Sequence, residues 1–181
     1  MDFARPEELL AVLDRGELDA VAACVAFARR TRLTPAARFF SRLGNGWLYP
    51  IASALLLLAS PSHALPYILA AGVSTGIAHL LYPPLKRLLA RTRPCDLEPG
   101  LADDCQPLDR YSCPSGHAMT AAAFGVPIIV LAPAAAAPIV IGGWLLVSWS
   151  RIALGHHYWS DIVIGSTIGG AIGAIVAMIV A

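Results

Sequence analysis

Three short polar clusters carry side chains whose types and spacing suit work on a phosphate. In Ser150-Arg151-Ile152-Ala153-Leu154-Gly155-His156-His157-Tyr158-Trp159-Ser160-Asp161, His157 and Asp161 stand four apart. On a helix starting there the carboxylate lies one turn from the imidazole and accepts its ring N–H. The other ring nitrogen is left unprotonated, as a nucleophile or base requires. His156, five residues from Asp161, points away from it and is assigned a structural or interfacial role. In Pro114-Ser115-Gly116-His117, a helix start offers N–H donors and a positive dipole end, Gly116 lets an anion approach the backbone, and the Ser115 hydroxyl adds a donor. His117 then stands where it can exchange a proton with a bound group. In Lys86-Arg87-Leu88-Leu89-Ala90-Arg91-Thr92-Arg93-Pro94, Lys86 and Arg93 are seven apart, two helical turns, and so share a face, with Pro94 helping to end the helix. Singly these clusters read as a core histidine, a proline-initiated helix and a basic stop at a membrane boundary. Jointly they supply cations and N–H donors for phosphoryl oxygens, a nucleophile on one side and an acid on the other.

The elements that must position them are membrane helices. Of 181 residues, 57% are hydrophobic and 14% charged, and the mean hydropathy is +0.65. That composition belongs to a membrane protein. A net charge of +1 gives no basic footprint for nucleic acid, and that class is set aside. No Asp, Glu, Lys or Arg occurs from Leu43 to Leu85, from Tyr111 to Ser150, or from Ile162 to Ala181. With turns at Ser60-Pro61-Ser62-His63-Ala64-Leu65-Pro66 and at Ala132-Pro133 to Pro138, the first two stretches fit two spans each and the last fits one. The expected fold is therefore all-α, a polytopic transmembrane bundle of about five spans. Its hairpins bring Lys86, Ser115, Arg151 and His157 to one membrane face, where ionisable groups are functional candidates.

Residues 1–42 differ. Glu7, Glu8, Asp14, Arg15, Glu17 and Asp19 alternate with Leu9, Leu10, Leu13, Leu18 and Val21, which suits helices lying at the membrane interface. Thr34 before Pro35 is an expected cap for a short second helix. The acidic opening MDFARPEELL does not read as a removable leader. Gly142, Gly143, Gly165, Gly169, Gly170 and Gly173 are expected where helix backbones approach closely. One domain over 1–181 is expected, with 1–42 interfacial and 43–181 transmembrane.

Lys86-x6-Arg93-Pro94, Pro114-Ser115-Gly116-His117 and Ser150-Arg151-x5-His157-x3-Asp161, in that order, resemble the three-part signature of the type 2 phosphatidic acid phosphatase (PAP2) superfamily. The interfacial start and short length are similar to small bacterial members acting on polyprenyl or glycerolipid phosphates. The resemblance implies a helical bundle and a metal-independent reaction without cofactor. In it His157 attacks phosphorus, Asp161 orients it, His117 protonates the departing lipid oxygen, and water cleaves the phosphohistidine. Lys86, Arg93, Ser115, Gly116 and Arg151 would bind the phosphate. The expected partners are a lipid phosphate and the bilayer, in a bacterial-type plasma membrane. A phosphotransferase using the same phosphohistidine, or a non-catalytic lipid carrier, is the alternative, and nothing in these residues chooses the lipid tail.

Three of the four cysteines, Cys95, Cys105 and Cys113, fall in one polar loop. With His117 they lack the close pairing of structural zinc sites, whereas a Cys95–Cys105 disulfide is expected if the loop faces an oxidising compartment. The resemblance points to an outer-face site. The charge distribution points to the cytoplasmic face, since all thirteen Lys and Arg fall on the site's side.

Overall fold

A backbone crossing lipid must satisfy its own polar groups, and the charge-free stretches do so as helices. The computed structural model describes residues 6–102, 105 and 109–181, with side chains from residue 15 onward. In chain order the helices are α1 (Pro6–Arg30), α2 (Thr34–Arg42), α3 (Leu48–Ala59), α4 (Ala64–Leu89), α5 (Pro94–Leu97), α6 (Gly116–Leu131), α7 (Ala137–Ala153) and α8 (Trp159–Val180). No strand occurs among the described residues. The opening residues 1–5 lie outside them, as do the side chains of Glu7, Glu8, Leu9, Leu10, Leu13 and Asp14.

Three segments are long and apolar enough to cross a bilayer: Ala64–Leu97, Ala134–Ala153 and Trp159–Val180. The other two expected spans are shorter. α3 has 12 residues and α6 has 16, about 18 and 24 Å of helix against a hydrocarbon core of about 30 Å. Leu58, Leu80, Ile139 and Ile179 stand on the outer surface, each more than three-quarters exposed, so an apolar belt surrounds the bundle.

α6 is the central helix. Ala71 of α4 meets Phe124 and Ile128, and Ala78 meets Met119 and Ala123. α8 presses on its other side. A Cβ on Gly169 would lie 2.0 Å from the Met119 carbonyl oxygen, and one on Gly165 would lie 2.6 Å from that of Ser115. Gly173 is similarly closed by Pro127 and Val126. The expectation of close packing fails at Gly142 and Gly143, where a Cβ would meet nothing within 4 Å, and is weak at Gly170, where the nearest atom is 3.8 Å away.

The α1 helix leans across the polar end of the bundle. Val21 and Val25 pack with Leu101, Ile152 and Tyr158, and Ala28 packs with Ala37 and Ala153. Thr34 is the first residue of α2 rather than its cap: Leu33 takes that position, without a side-chain bond.

Two further expectations change in detail. α4 stops at Leu89, because Ala90 adopts a left-handed conformation (φ +45°), and Arg93 is extended ahead of Pro94. Lys86 and Arg93 therefore do not share a helical face; a turn brings them together. Likewise α8 begins at Trp159, so His157 precedes the helix instead of sitting one turn back from Asp161 along it.

Candidate active site

At the polar end of the bundle a cavity of about 190 Å³ opens between the ends of α4, α6 and α7 and the turn before α8. Six of the eight expected site residues line it: Lys86, Arg93, Gly116, His117, Arg151 and His157. Ser115 and Asp161 are fully buried behind its wall.

The turn after α7 sets His157. Gly155 has φ +69° and packs against Leu101 and Ala102, so the chain reverses sharply there with little room for a side chain. His157 Nε2 is 3.3 Å from Arg93 Nη1. A guanidinium only donates, so Nε2 is the acceptor and the ring proton resides on Nδ1. Nδ1 is 3.4 Å from Asp161 Oδ2, beyond a good hydrogen bond. Asp161 has other duties in this arrangement. Its Oδ2 accepts the Tyr158 N–H at 2.9 Å, closing the start of α8, and its Oδ1 accepts from Arg91 at 2.9 Å. Burial, then the charges of Arg93, Arg151 and Lys86, pushes the His157 imidazolium well below its ordinary value of 6.5. His157 is therefore neutral near pH 7, with its Nε2 lone pair on the cavity side.

Lys86 and Arg93 converge on one atom. Asp109 Oδ1 accepts from Lys86 Nζ at 2.7 Å and from Arg93 Nη2 at 2.5 Å. The Tyr111 carbonyl also accepts from both cations, at 2.9 Å each. Arg93 is anchored further by the Asp109 and His156 carbonyls. His156 is thus buried and structural, not interfacial. Arg151 reaches the cavity from the end of α7, with Nη1 donating to Ser41 Oγ at 2.5 Å.

The opposite wall is the start of α6. Ser115 caps it, its Oγ accepting from the Ala118 N–H at 3.5 Å, and its own N–H is taken by the Asp161 carbonyl. The first-turn N–H groups of Gly116 and His117 have no partner within the helix. A Cβ on Gly116 would only touch Tyr82 at 3.7 Å, so α6 itself does not demand glycine there. His117 Nε2 is 2.7 Å from Asn45 Oδ1.

Asn45, Asp109, Ser41 and Arg91 were not anticipated from sequence. Asn45 had a readable signal, since Gly44-Asn45-Gly46 ahead of an apolar run is a turn pattern. Both glycines are used: a Cβ at Gly44 would lie 2.8 Å from Val147, and Gly46 has φ +138°. Asp109 had no signal. Nor do the cysteines form a zinc set, because Cys95 and Cys105 are disulfide-bonded and Cys113 is a buried free thiol. Burial, aided by Asp161, pushes the Cys113 thiol up to about 12, which makes it a poor nucleophile.

Two imidazoles and three cations around one anion-sized hollow, at the polar end of a helix bundle ringed by apolar side chains, set the class: a helical membrane protein that handles phosphates. Comparison with known proteins makes it specific. Residues 64–181 match the PAP2 superfamily, and the chain belongs to that superfamily. It is 34% identical over 175 residues to decaprenylphosphoryl-5-phosphoribose phosphatase of Mycobacterium tuberculosis, covering 90% of this chain and 89% of that protein. It is 30% identical over 132 residues to undecaprenyl-diphosphatase of Sulfolobus acidocaldarius, covering 72% and 63%. The fold resembles the crystal structure of the first transmembrane PAP2 type phosphatidylglycerolphosphate phosphatase from Bacillus subtilis. There the TM-score is 0.68 at 23% identity, over 93% of this chain and 86% of the other. Aquifex aeolicus LpxE gives a TM-score of 0.66 at 24% identity, over 88% and 93%. The chain is a PAP2-type membrane phosphatase.

Proposed function

We propose that this phosphatase hydrolyses a phosphomonoester or pyrophosphate carried by a polyprenyl lipid, through a phosphohistidine on His157. One observation carries the reading. The two buried cations Lys86 and Arg93 hold a single carboxylate oxygen, that of Asp109, beside the Nε2 lone pair of His157. On this reading a phosphoryl oxygen takes the place of the Asp109 carboxylate oxygen. The names of the relatives favour polyprenyl-linked phosphates over glycerolipids.

In the first step, His157 Nε2 bonds to phosphorus and the P–O bond to the lipid breaks. Lys86, Arg93, Arg151 and the first-turn N–H groups of Gly116 and His117 hold the equatorial oxygens. His117 gives its proton to the departing oxygen. As the N–P bond forms, the His157 ring keeps its Nδ1 proton and becomes positively charged, and the Asp161 carboxylate, 3.4 Å from Nδ1, stabilises that charge. In the second step water attacks phosphorus, His117 takes the water's proton, the N–P bond breaks and inorganic phosphate leaves. Ser115 acts from behind the wall by fixing the start of α6. The side chains present thus supply nucleophile, acid and charge neutralisation without a metal. On this reading the chain is one domain in a bacterial plasma membrane, with α1 and α2 lying at its interface.

The test is phosphate release by purified protein in chelator. The panel comprises a polyprenyl monophosphate, a polyprenyl pyrophosphate, a polyprenyl-linked sugar phosphate and a phosphatidylglycerol phosphate. Release from the polyprenyl compounds, with loss of turnover and of acid-labile phosphoenzyme in His157→Ala, is expected. Turnover that persists in His157→Ala, or preference for the glycerolipid, would refute the corresponding part of the reading. Phosphate passed to an added lipid alcohol, with none released to water, would mark a transferase.

A further inference from the structure

We infer that Glu17, on the N-terminal helix α1, is a positioning residue for the reaction, holding His157 through Arg91 and Asp161. The inference rests on the role proposed for His157. It extends the site beyond residues 64–181, the part matched by the superfamily.

Asp161 is fully buried, and a buried carboxylate requires a partner charge. Arg91 provides it, donating from Nη1 to Asp161 Oδ1 at 2.9 Å and to Ser160 Oγ at 2.5 Å. Arg91 hangs from the turn after α4, with Nη1 on Asp161 and Ser160, and its Nη2 is held separately. Glu17 holds it. Its Oε2 accepts from Arg91 Nη2 at 2.5 Å and from Ser160 Oγ at 2.8 Å, and its Oε1 accepts the Ser160 N–H at 2.9 Å. The guanidinium also lies 3.9 Å over the ring of Tyr158, the residue following His157.

This is more than a surface ion pair. The Glu17 side chain is 25% exposed and that of Arg91 17%, and both carboxylate oxygens of Glu17 are engaged. Burial works against the Glu17 anion, yet the hydrogen bonds from Arg91 and Ser160 hold its carboxyl below the usual value. The Glu17 carboxylate also stands at the first turn of α8, where a negative charge complements the helix dipole. One carboxylate thus locks α1, the turn after α4 and the start of α8 around the carboxylate that faces His157 Nδ1. Moving Asp161 by a fraction of an ångström would change the orientation and basicity of the nucleophile without touching the cations that bind phosphate.

The experiment is steady-state and single-turnover kinetics of Glu17→Gln, with Asp19→Asn, an exposed neighbour on α1, as control. Expected for Glu17→Gln is roughly a tenfold lower kcat and phosphoenzyme formation rate, with KM unchanged within about twofold, per mole of folded enzyme. Asp19→Asn stays at the parent values. If Glu17→Gln does not yield folded protein, Ser160→Ala, which removes the hydroxyl that bridges Arg91 and Glu17 beside their direct ion pair, is expected to lower kcat in the same selective way, by a smaller factor. A folded Glu17→Gln, or failing that Ser160→Ala, with unchanged kcat would overturn the inference, as would a loss confined to KM. His157→Ala is run alongside. If it retains turnover, the assignment of the nucleophile fails first; if it is inactive while Glu17→Gln is normal, only the role of Glu17 fails.

Discussion

If Lys86 and Arg93 bind the substrate phosphate as proposed, Asp109 competes for them, and removing its charge should tighten phosphate binding. Its Oδ1 accepts from Lys86 at 2.7 Å and Arg93 at 2.5 Å, and both bonds must break before a phosphoryl oxygen can take their place. A hydrogen bond to a charged group contributes about 1.5–3 kcal/mol when shielded. The Asp109 side chain is 36% exposed, so solvent screening reduces each to about 1 kcal/mol. Displacement then costs about 2 kcal/mol, and Asp109→Asn, which keeps a neutral acceptor, should recover about 1.4 kcal/mol of it, roughly a tenfold change. The assay is product inhibition: Ki for inorganic phosphate, measured at fixed ionic strength, should fall about tenfold. The KM for the lipid substrate should fall with it. If Asp109 instead serves to hold Arg93 in a productive pose, Ki rises in the variant. Either a rise or an unchanged Ki would show that the carboxylate does not occupy the phosphate position.

Further outcomes follow from the same geometry. His157 should stay neutral through pH 6.5, because burial and the surrounding cations push its imidazolium below that value. The unfolded chain binds a proton there that the folded chain does not, so stability is lost as pH falls below about 6.5. Nitrogen NMR of histidine-labelled protein reads the titration, and a His157 midpoint at or above 6.5 would contradict the burial argument. Gly169→Ala should destabilise by at least about 1–3 kcal/mol, because its Cβ would overlap the Met119 carbonyl, while Gly170→Ala should be near neutral. Thermal unfolding in detergent compares the two, and equal midpoints would remove the close α6–α8 approach. Finally, if the loop faces an oxidising compartment, Cys105 should react with a membrane-impermeant maleimide in intact cells only after reduction of its bond to Cys95. Labelling without reductant, seen only in inverted vesicles, would put the loop in the cytoplasm, where the thirteen Lys and Arg direct it.

The chain's own letters determined the membrane-helical class and pointed to phosphatase chemistry. Charge-free runs of this length have few homes but a bilayer, and their interruptions at Ser60–Pro66 and Pro133–Pro138 mark turns wherever the helices finally pack. The residue types of Lys86, Arg93, His117, Arg151, His157 and Asp161 likewise pointed to work on a phosphate before any geometry was known. What periodicity could not foresee was how those residues meet. Helical spacing misplaced Arg93, because the left-handed turn at Ala90 ends α4 early. It also misplaced His157, because the Asp161 carboxylate caps α8 from within, leaving the histidine outside. Only the folded chain decided that Asn45 faces His117, that Asp109 sits on Lys86 and Arg93, and that Glu17 reaches Arg91 from 74 residues away. Each of these contacts joins segments distant in sequence, and a long-range meeting is set by how whole helices pack rather than by the letters on either side of it.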